Sequence, residues 1–593
     1  MNNIIYLWIN KYRLLDKAPK KARYLFNDCG ISLSSKYEVS TSDNKGKRVF
    51  TIRESESNIL FPSNENASQE PFYSECITDL KIIVGKNGVG KSSILNLLCT
   101  FLSHDDDFFG NTKSEYLIIW QKNDKSFHYR SNLQNVAVKC DLEGEKRIAS
   151  SVLSGQAIFY SAAFHDEWTY PPPTDKYSDV CDLSTRFLIQ QDVRSLNGDL
   201  GKLYGNNDQL SCHATMESIR QVTFASIFSE KKDFIKSIFK IPNGVIFSFS
   251  TTFIKNAIHD LFEDYTELKK IDPSRIDQII NDWVKFIIEK VPLELRIASV
   301  LVFSDFRRNY QGPLLEGWKP IDVETRPTIE HCERLIEILR LKLGTRLYKK
   351  DIDSIKRILK RGNFIKIKNE FWFNLSTQRE DVVKLLKLIA KIKSYAPLME
   401  MSWNRPMSSG ELCYLRFFSR LYDRIKETEI FATNKAIESQ LLIDEIDLHL
   451  HPEWQRKWFS KFVEGLKLMQ EESGVKLHFQ LIMTTHSPFM LTDFFYNNVT
   501  RLDIGKDGVL KIVNDDKKTQ FLAGNIYDIL SDGFFLDGSM GFFIKEKLKG
   551  LLQKAERPKQ EKNVLDETDK FLFNNIGDPL MKALVYQRIK GKV

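Results

Sequence analysis

Gly85-Lys86-Asn87-Gly88-Val89-Gly90-Lys91-Ser92, continued by Ser93, has the residue types and spacing of a loop that holds phosphate. Its glycines let the backbone curl so that successive N–H groups point inward at phosphate oxygens. A helix starting at Lys91 aims its positive N-terminal end at the same point. Lys91 is the residue to neutralise β- and γ-phosphates, and Ser92 the one to hold Mg²⁺. Much later, Leu441-Leu442-Ile443-Asp444-Glu445 is an apolar run that delivers two carboxylates together. Asp444 can hold Mg²⁺, directly or through water, and Glu445 can orient or polarise an attacking water. His486 follows another apolar run, Leu481-Ile482-Met483-Thr484-Thr485, 41 residues beyond Glu445, where it suits a γ-phosphate sensor. Ser408-Ser409-Gly410-Glu411 opens a helix whose apolar face includes Leu412, Leu415, Phe418 and Leu421. Two serines and a glycine at a helix start make an anion site, and the same residues would serve as an ordinary cap.

These groups need strands and helices to present them. Leu80–Val84 predicts a buried strand running into the phosphate loop, with an apolar helix from Lys91 to about Leu102. Leu441–Ile443 and Leu481–Thr484 predict strands ending in the two acids and the histidine. Ile4–Ile9, Val49–Ile52, Leu117–Trp120 and Ala157–Ser161 read as further strands. Val499–Ile504 and Val509–Val513 read as a hairpin across Lys506-Asp507-Gly508. Residues 55–70, rich in Ser, Asn and Glu, read as a loop. His104-Asp105-Asp106-Asp107 reads as a solvated acidic run, with a metal site the lesser alternative. Pro171-Pro172-Pro173 marks a boundary. Beyond it the pattern is mostly helical, as in Ile271–Val291, His331–Leu343 and Asp381–Lys393, with one strand expected over Phe364–Leu375. The heptad repeat is too brief for a long coiled coil.

Composition narrows the setting. The 593 residues are 42% hydrophobic and 12% aromatic, which argues against a disordered chain. No apolar run approaches the ~18–20 residues that span a bilayer, and no signal peptide is visible. The eight cysteines include no CxxC pair, so neither a zinc site nor a disulfide framework is indicated, and a cytoplasmic home is expected. The net charge of +8 is uneven. Residues 340–393 hold 16 Lys or Arg against five Asp or Glu, a net of +11. Interleaved with Tyr348, Phe364, Phe371, Trp372 and Phe373, these cations could meet a nucleic-acid backbone or form a solvated face.

Taken together, phosphate loop, serine-glycine signature, acidic strand end and histidine resemble, in that order, the ATP-binding-cassette class of P-loop ATPase. The resemblance covers parts of residues 1–165 and 400–515. It implies an α/β head of two lobes, a P-loop sheet plus an antiparallel β subdomain, with ATP and Mg²⁺ as cofactors. It also implies a head-to-tail homo-oligomer in which Ser408, Ser409 and Gly410 of one subunit cap the ATP of another. The class also carries a glutamine after a strand, whereas Gln156 here precedes its strand. Ile446-Asp447-Leu448-His449-Leu450-His451-Pro452-Glu453-Trp454-Gln455 resembles the RecF, OLD and structural-maintenance-of-chromosomes relatives, and differs from transporter cassettes. His449, His451 and Glu453 form a minor metal-ligand alternative. The tail, with Phe521–Leu530, Phe534-Phe535-Leu536, Gly538, Met540-Gly541 and Ile576-Gly577-Asp578-Pro579, is similar to the ATPases of Septu anti-phage systems (PtuA) and their retron-associated relatives.

Four regions are therefore expected. Residues 1–170 are lobe I, and 171–400 a mostly helical insertion ending in the basic segment. Residues 401–515 are lobe II, and 516–593 a helical tail suited to partner docking. The resemblance implies a cytoplasmic ATPase that hydrolyses ATP to ADP and phosphate and controls a separate HNH-type nuclease, without membrane contact. The 107 residues after His486 lack the acidic spacing of a Toprim nuclease. A RecF- or SMC-like DNA-binding ATPase is the alternative, and a transporter subunit a third.

Overall fold

The computed structural model describes residues 2–11, 26–44, 46–61, 71–103, 114–142, 147–153, 155–163, 180–200, 209–231, 239–263, 272–293, 295–299, 327–343, 349–365, 369–391, 398–431, 436–505, 510–513, 520–536, 541–556 and 567–589. The acidic run at 104–107, the prolines at 171–173 and the turn at 506–508 lie outside them. The chain is mixed α/β and divides into two compact units, Met1–Ile526 and Tyr527–Val593.

A seven-stranded sheet organises the larger unit. Its order is Val180–Asp182, Gln156–Ser161, Ala436–Asp444, Lys476–Thr484, Ile77–Gly85, Val499–Ile504 and Leu510–Ile512. The first six are mutually parallel and the last is antiparallel. Strands buried on both faces read as continuous apolar runs, which is why Ile82-Ile83-Val84 and Leu441-Leu442-Ile443 stand out in sequence. Parallel strands discharge their C-terminal ends along one edge. Gly85, Asp444, Thr484 and Ser161 therefore come out side by side.

Helix Lys91–Leu102 covers this sheet, burying Ile94, Leu95 and Leu98 in a core shared with Ile83, Leu442 and Ile482. That core also takes Ile4, Leu7, Ile9, Ile118 and Trp120 from an antiparallel-rich sheet ordered Cys29–Ser32, Asn3–Asn10, Glu115–Gln121, Phe127–Ser131 and Ile148–Ser150. Ile5, Tyr6, Trp8, Leu117 and Ile119 pack instead with Phe50 and Ile52 in a second cluster. A bulge between Ile4 and Tyr6 shifts the register there.

The span between boundary and signature is helical in large part, with helices Thr185–Leu200, Gln209–Phe228, Pro273–Glu289, Ile329–Leu343, Lys349–Arg361 and Leu375–Lys391. It also contains a four-stranded antiparallel sheet ordered Asn363–Ile365, Glu370–Asn374, Gly244–Phe249 and Met399–Trp403. The expected single strand over Phe364–Leu375 is thus two strands folded on each other, with Asn369 in the left-handed region (φ 53°) at the reversal. Part of the expected loop at 55–70 is a 3₁₀ turn, Glu56–Leu60, capped by the Ser55 hydroxyl.

Buried charges fasten this span to helix Ser409–Phe431. Arg420, 2% exposed, donates to both Glu217 carboxylate oxygens at 3.2 and 3.0 Å, to Leu183 O at 2.9 Å and to Thr185 Oγ1 at 3.2 Å. Three residues on, Asp423 accepts from Arg220 Nε at 3.1 Å, and Arg220 also grips buried Asp192. His213 Nδ1 sits 2.7 Å from that same aspartate. Burial acts to raise the Glu217 carboxyl, and Arg420 and Arg220 more than offset it, so it lies below the ordinary range.

In the smaller unit, helices Phe542–Glu556, Glu567–Asn574 and Pro579–Ile589 gather around Leu548, Leu551, Phe573 and Val585.

Candidate active site

The loop leaving strand Ile77–Gly85 is shaped by three glycines with positive φ, 153° at Gly85, 76° at Gly88 and 92° at Gly90. At Gly85 the reason is also steric, since a Cβ would lie 2.2 Å from the Leu502 carbonyl oxygen of the adjacent strand. Val89, 1% exposed, plugs the loop into the core, leaving Lys86, Asn87 and Gly88 outside. Lys86 Nζ lies 3.4 Å from Asp503 Oδ1. Lys91 is buried, and its Nζ donates to the Gly85 and Lys86 carbonyls at 3.1 and 3.0 Å. Burial pulls its ammonium below the ordinary lysine range, against the opposing carboxylates of Glu445, Asp444 and Asp447. Ser92 and Ser93 occupy the first turn of the helix.

Asp444, 1% exposed, is the junction. Its Oδ1 accepts from Ser92 Oγ at 3.1 Å and Thr484 Oγ1 at 2.6 Å, and its Oδ2 from Ser161 Oγ at 3.5 Å. Sheet order explains this convergence, because the strand ending at Thr484 lies between the loop strand and the acid strand, with Ser161 on the acid strand's other side. The Ser92 hydroxyl and Asp444 carboxylate, 3.1 Å apart, are the hard oxygen donors that Mg²⁺ prefers, so the residues present fit that ion.

Glu445 follows with left-handed backbone (φ 50°), held by its N–H donating to Thr484 Oγ1 at 3.1 Å. Such a conformation costs a non-glycine residue about 1–3 kcal/mol and persists only where neighbours impose it. Its Oε1 lies 3.5 Å from His486 Nε2, both side chains being partly exposed. Thus Lys91, Ser92, Asp444, Glu445 and His486 come together at one sheet edge. Sequence reading missed Ser161, Thr484 and Asp447. Their hydroxyls and carboxylate carry no spacing signature, and only the position next to a strand end would have drawn attention to them.

Ser408-Ser409-Gly410-Glu411 forms a separate group. Ser408 N–H donates to Glu411 Oε2 at 2.8 Å and Glu411 N–H to Ser408 Oγ at 3.2 Å, a reciprocal capping box. Burial acts to raise the Glu411 carboxyl, but hydrogen bonds from Arg405 and Ser408 bring it below the ordinary range. Ser408 and Ser409 are exposed, and a Cβ on Gly410 would lie 3.2 Å from the Trp454 ring. Among the described residues no hydrogen bond joins this group to residues 85–93. His451 caps helix Pro452–Ser473 by accepting from Glu453 N–H at 3.2 Å. Among the described residues no group of three or more His, Cys, Asp or Glu is arranged to hold a metal ion. Gln156 begins its strand, at the end opposite Ser161.

In the basic segment, Ile355, Ile358 and Leu359 are buried while Arg357, Lys360, Arg361, Arg379 and Lys384 are exposed. Phe364 and Ile365 are exposed beside them, and Arg361 pairs with Asp381 at 2.8 Å. Residues 344–348, 366–368 and 392–393 lie outside the described ones. Among the described residues no helix is long and apolar enough to cross a membrane.

Residues 219–492 match the family described as AAA domain, putative AbiEii toxin, Type IV TA system. The matched stretch takes in Ser408–Glu411, both acids and His486, and the loop at 85–93 lies N-terminal to it. The chain is also 28% identical over 195 residues to Septu protein PtuA of Bacillus thuringiensis, a match of 30% of this chain and 46% of the relative. The likeness therefore spans just under half of that relative's length. The two matches together mark the chain as similar to PtuA-like ATPases.

Proposed function

We propose that this chain binds ATP and hydrolyses it to ADP and phosphate as the regulatory subunit of an anti-phage defence complex. The observation that carries the reading is the convergence of Lys91, Ser92, Asp444, Glu445 and His486 on one edge of the sheet. Residues 85–93 cradle the phosphates, with Lys91 turning from the loop carbonyls to the β- and γ-oxygens. Ser92 and Asp444 hold Mg²⁺, which when bound neutralises phosphate charge. Glu445 orients and deprotonates the attacking water. His486, beside it, senses the γ-phosphate. The head is two-lobed, and Ser408, Ser409, Gly410 and Glu411 close on the ATP of a second subunit, head to tail. The exposure of Ser408 and Ser409, and the separateness of the group from the phosphate loop of its own chain, support that role. The insertion and the tail pass the nucleotide state to a separate HNH-type nuclease in the cytoplasm. The PtuA likeness supports the defence setting.

The exposed cations of helix Lys349–Arg361 and its neighbours favour a second reading, in which nucleic acid binds the insertion, as it would in a RecF- or SMC-like ATPase.

The test is Glu445→Gln. It keeps shape and phosphate contacts while removing the base, so turnover should fall by about 10²–10⁴. ATP affinity should hold, and ATP-bound oligomer should accumulate in size-exclusion chromatography. Turnover equal to the parent's would sink the assignment.

A further inference from the structure

Asp447 stands two residues past Glu445 and is 7% exposed. Its carboxylate reaches away from its own strand to the end of the neighbouring one. Oδ1 accepts from Thr485 Oγ1 at 2.8 Å, and Oδ2 from the His486 N–H at 3.0 Å. Thr485 Oγ1 in turn accepts from the Ser487 N–H at 3.0 Å. A second link runs parallel to this one. Gln455 Nε2 donates to the carbonyls of Asp447 (3.3 Å) and Leu450 (3.0 Å), and its Oε1 accepts from Ser487 Oγ at 2.8 Å. The backbone of 445–450 is tightly folded, with Leu448 N–H on Glu445 O, Leu450 N–H on Asp447 O, and positive φ at Glu445 and His449.

A site so buried is ordinarily filled by an apolar side chain when packing is all it serves. Burial raises the Asp447 carboxyl above its usual range, the mark of a charge kept from water. What this costly group does is hold one short stretch of backbone, the one bearing His486. We propose that Asp447 is a positioning residue that fixes the His486 ring beside Glu445 and makes that alignment depend on the fold of the turn 446–450. The turn also borders the signature: a Cβ on Gly410 would lie 3.7 Å from the His449 carbonyl oxygen, and 3.2 Å from the Trp454 ring of the helix that follows the turn. A change at the signature therefore has a short route to the Glu445–His486 pair. The proposal rests on the reading that Glu445 and His486 act at the γ-phosphate.

Asp447→Asn keeps the shape but removes the charge: its one amide oxygen can serve the His486 N–H only if its NH2 faces Thr485 Oγ1, so that contact is reversed and both are weakened. Thr485→Val, also nearly isosteric, removes the other side of the Oδ1 contact. In the full chain, both are compared with Glu445→Gln by steady-state hydrolysis, equilibrium ATP binding, and hydrogen exchange without nucleotide. For Asp447→Asn, kcat should fall about 10- to 100-fold, the effect of a slightly misplaced group. KM and ATP affinity should change by less than about twofold, since uniform binding is untouched. Exchange should quicken in the peptide covering 484–490 and stay unchanged in strand Ala436–Asp444. Thr485→Val should move the same readouts in the same direction by less, and it decides the matter should Asp447→Asn fold poorly. Unchanged kcat in both variants, or loss of ATP affinity with faster exchange across the whole sheet, overturns the proposal. If Glu445→Gln itself keeps full turnover, the underlying reading fails instead.

Discussion

Arg420→Met tests how firmly helix Gln209–Phe228 and the start of Thr185–Leu200 grip helix Ser409–Phe431. Methionine retains much of the volume but removes a charge that is 2% exposed, together with donors to Glu217, Leu183 O and Thr185 Oγ1. Stranding one member of a buried pair costs about 3–5 kcal/mol. Arg220 Nη1 remains 3.6 Å from Glu217 Oε2, so the carboxylate is not abandoned, and the expectation falls to the lower end, about 3 kcal/mol. Glu217→Gln leaves Arg420 its carbonyl and hydroxyl partners and should cost about 1–3 kcal/mol. The double variant should be less destabilised than the sum of the singles by about 1–3 kcal/mol. The assay is a double-mutant cycle from urea unfolding of the full chain. An independent check is acidity. The Glu217 carboxyl is held below its ordinary range, so its contribution is complete above the unfolded value, about 4.3, and disappears as pH falls through the folded one. The parent should therefore lose stability below about pH 4 more steeply than Arg420→Met does. Single effects that add to within about 0.5 kcal/mol, with parallel acid profiles, would refute the reasoning.

Two other perturbations give direct readings. Gly85→Ala places a methyl 2.2 Å from the Leu502 carbonyl oxygen at an unfavourable φ, so it should abolish ATP binding in an equilibrium titration. Parent-like affinity would mean the loop strand can shift away from its neighbour. Reversing the charge at Lys356, Arg357, Lys360 and Arg361 should weaken nucleic-acid binding and flatten its salt dependence, measured by fluorescence anisotropy across a salt series. An unaltered titration would make that helix face merely solvated.

The central strands were legible because parallel strands buried on both faces leave uninterrupted apolar runs, as in Ile82-Ile83-Val84 and Leu481-Ile482-Met483. That the loop, Asp444, Glu445 and His486 would lie together was legible because the chemistry proposed for them demands fixed spacing. Ser161 and Thr484 were not. They matter because their strands flank the acid strand, and strand order is a long-range property that no local pattern records. Gly244–Phe249 was overlooked for a related reason. Its pairing partners, Glu370–Asn374 and Met399–Trp403, lie more than a hundred residues away, amid sequence with helical period. The break in Phe364–Leu375 was hidden because residues on both sides of it favour strands, and Asn369 alone hints at a reversal.

The strand that carries the phosphate loop has both its sheet neighbours, Lys476–Thr484 and Val499–Ile504, some 400 residues downstream. On a ribosome adding roughly 5–20 residues per second, Ile77–Gly85 waits about 20–80 s for the strands that sandwich it. No nascent chain or fragment that stops before residue 476 can assemble the edge where Ser92 meets Asp444 and Thr484. On the proposed function, ATP would then be read only by a chain that reaches past these strands, and a product truncated before them would be silent instead of unregulated.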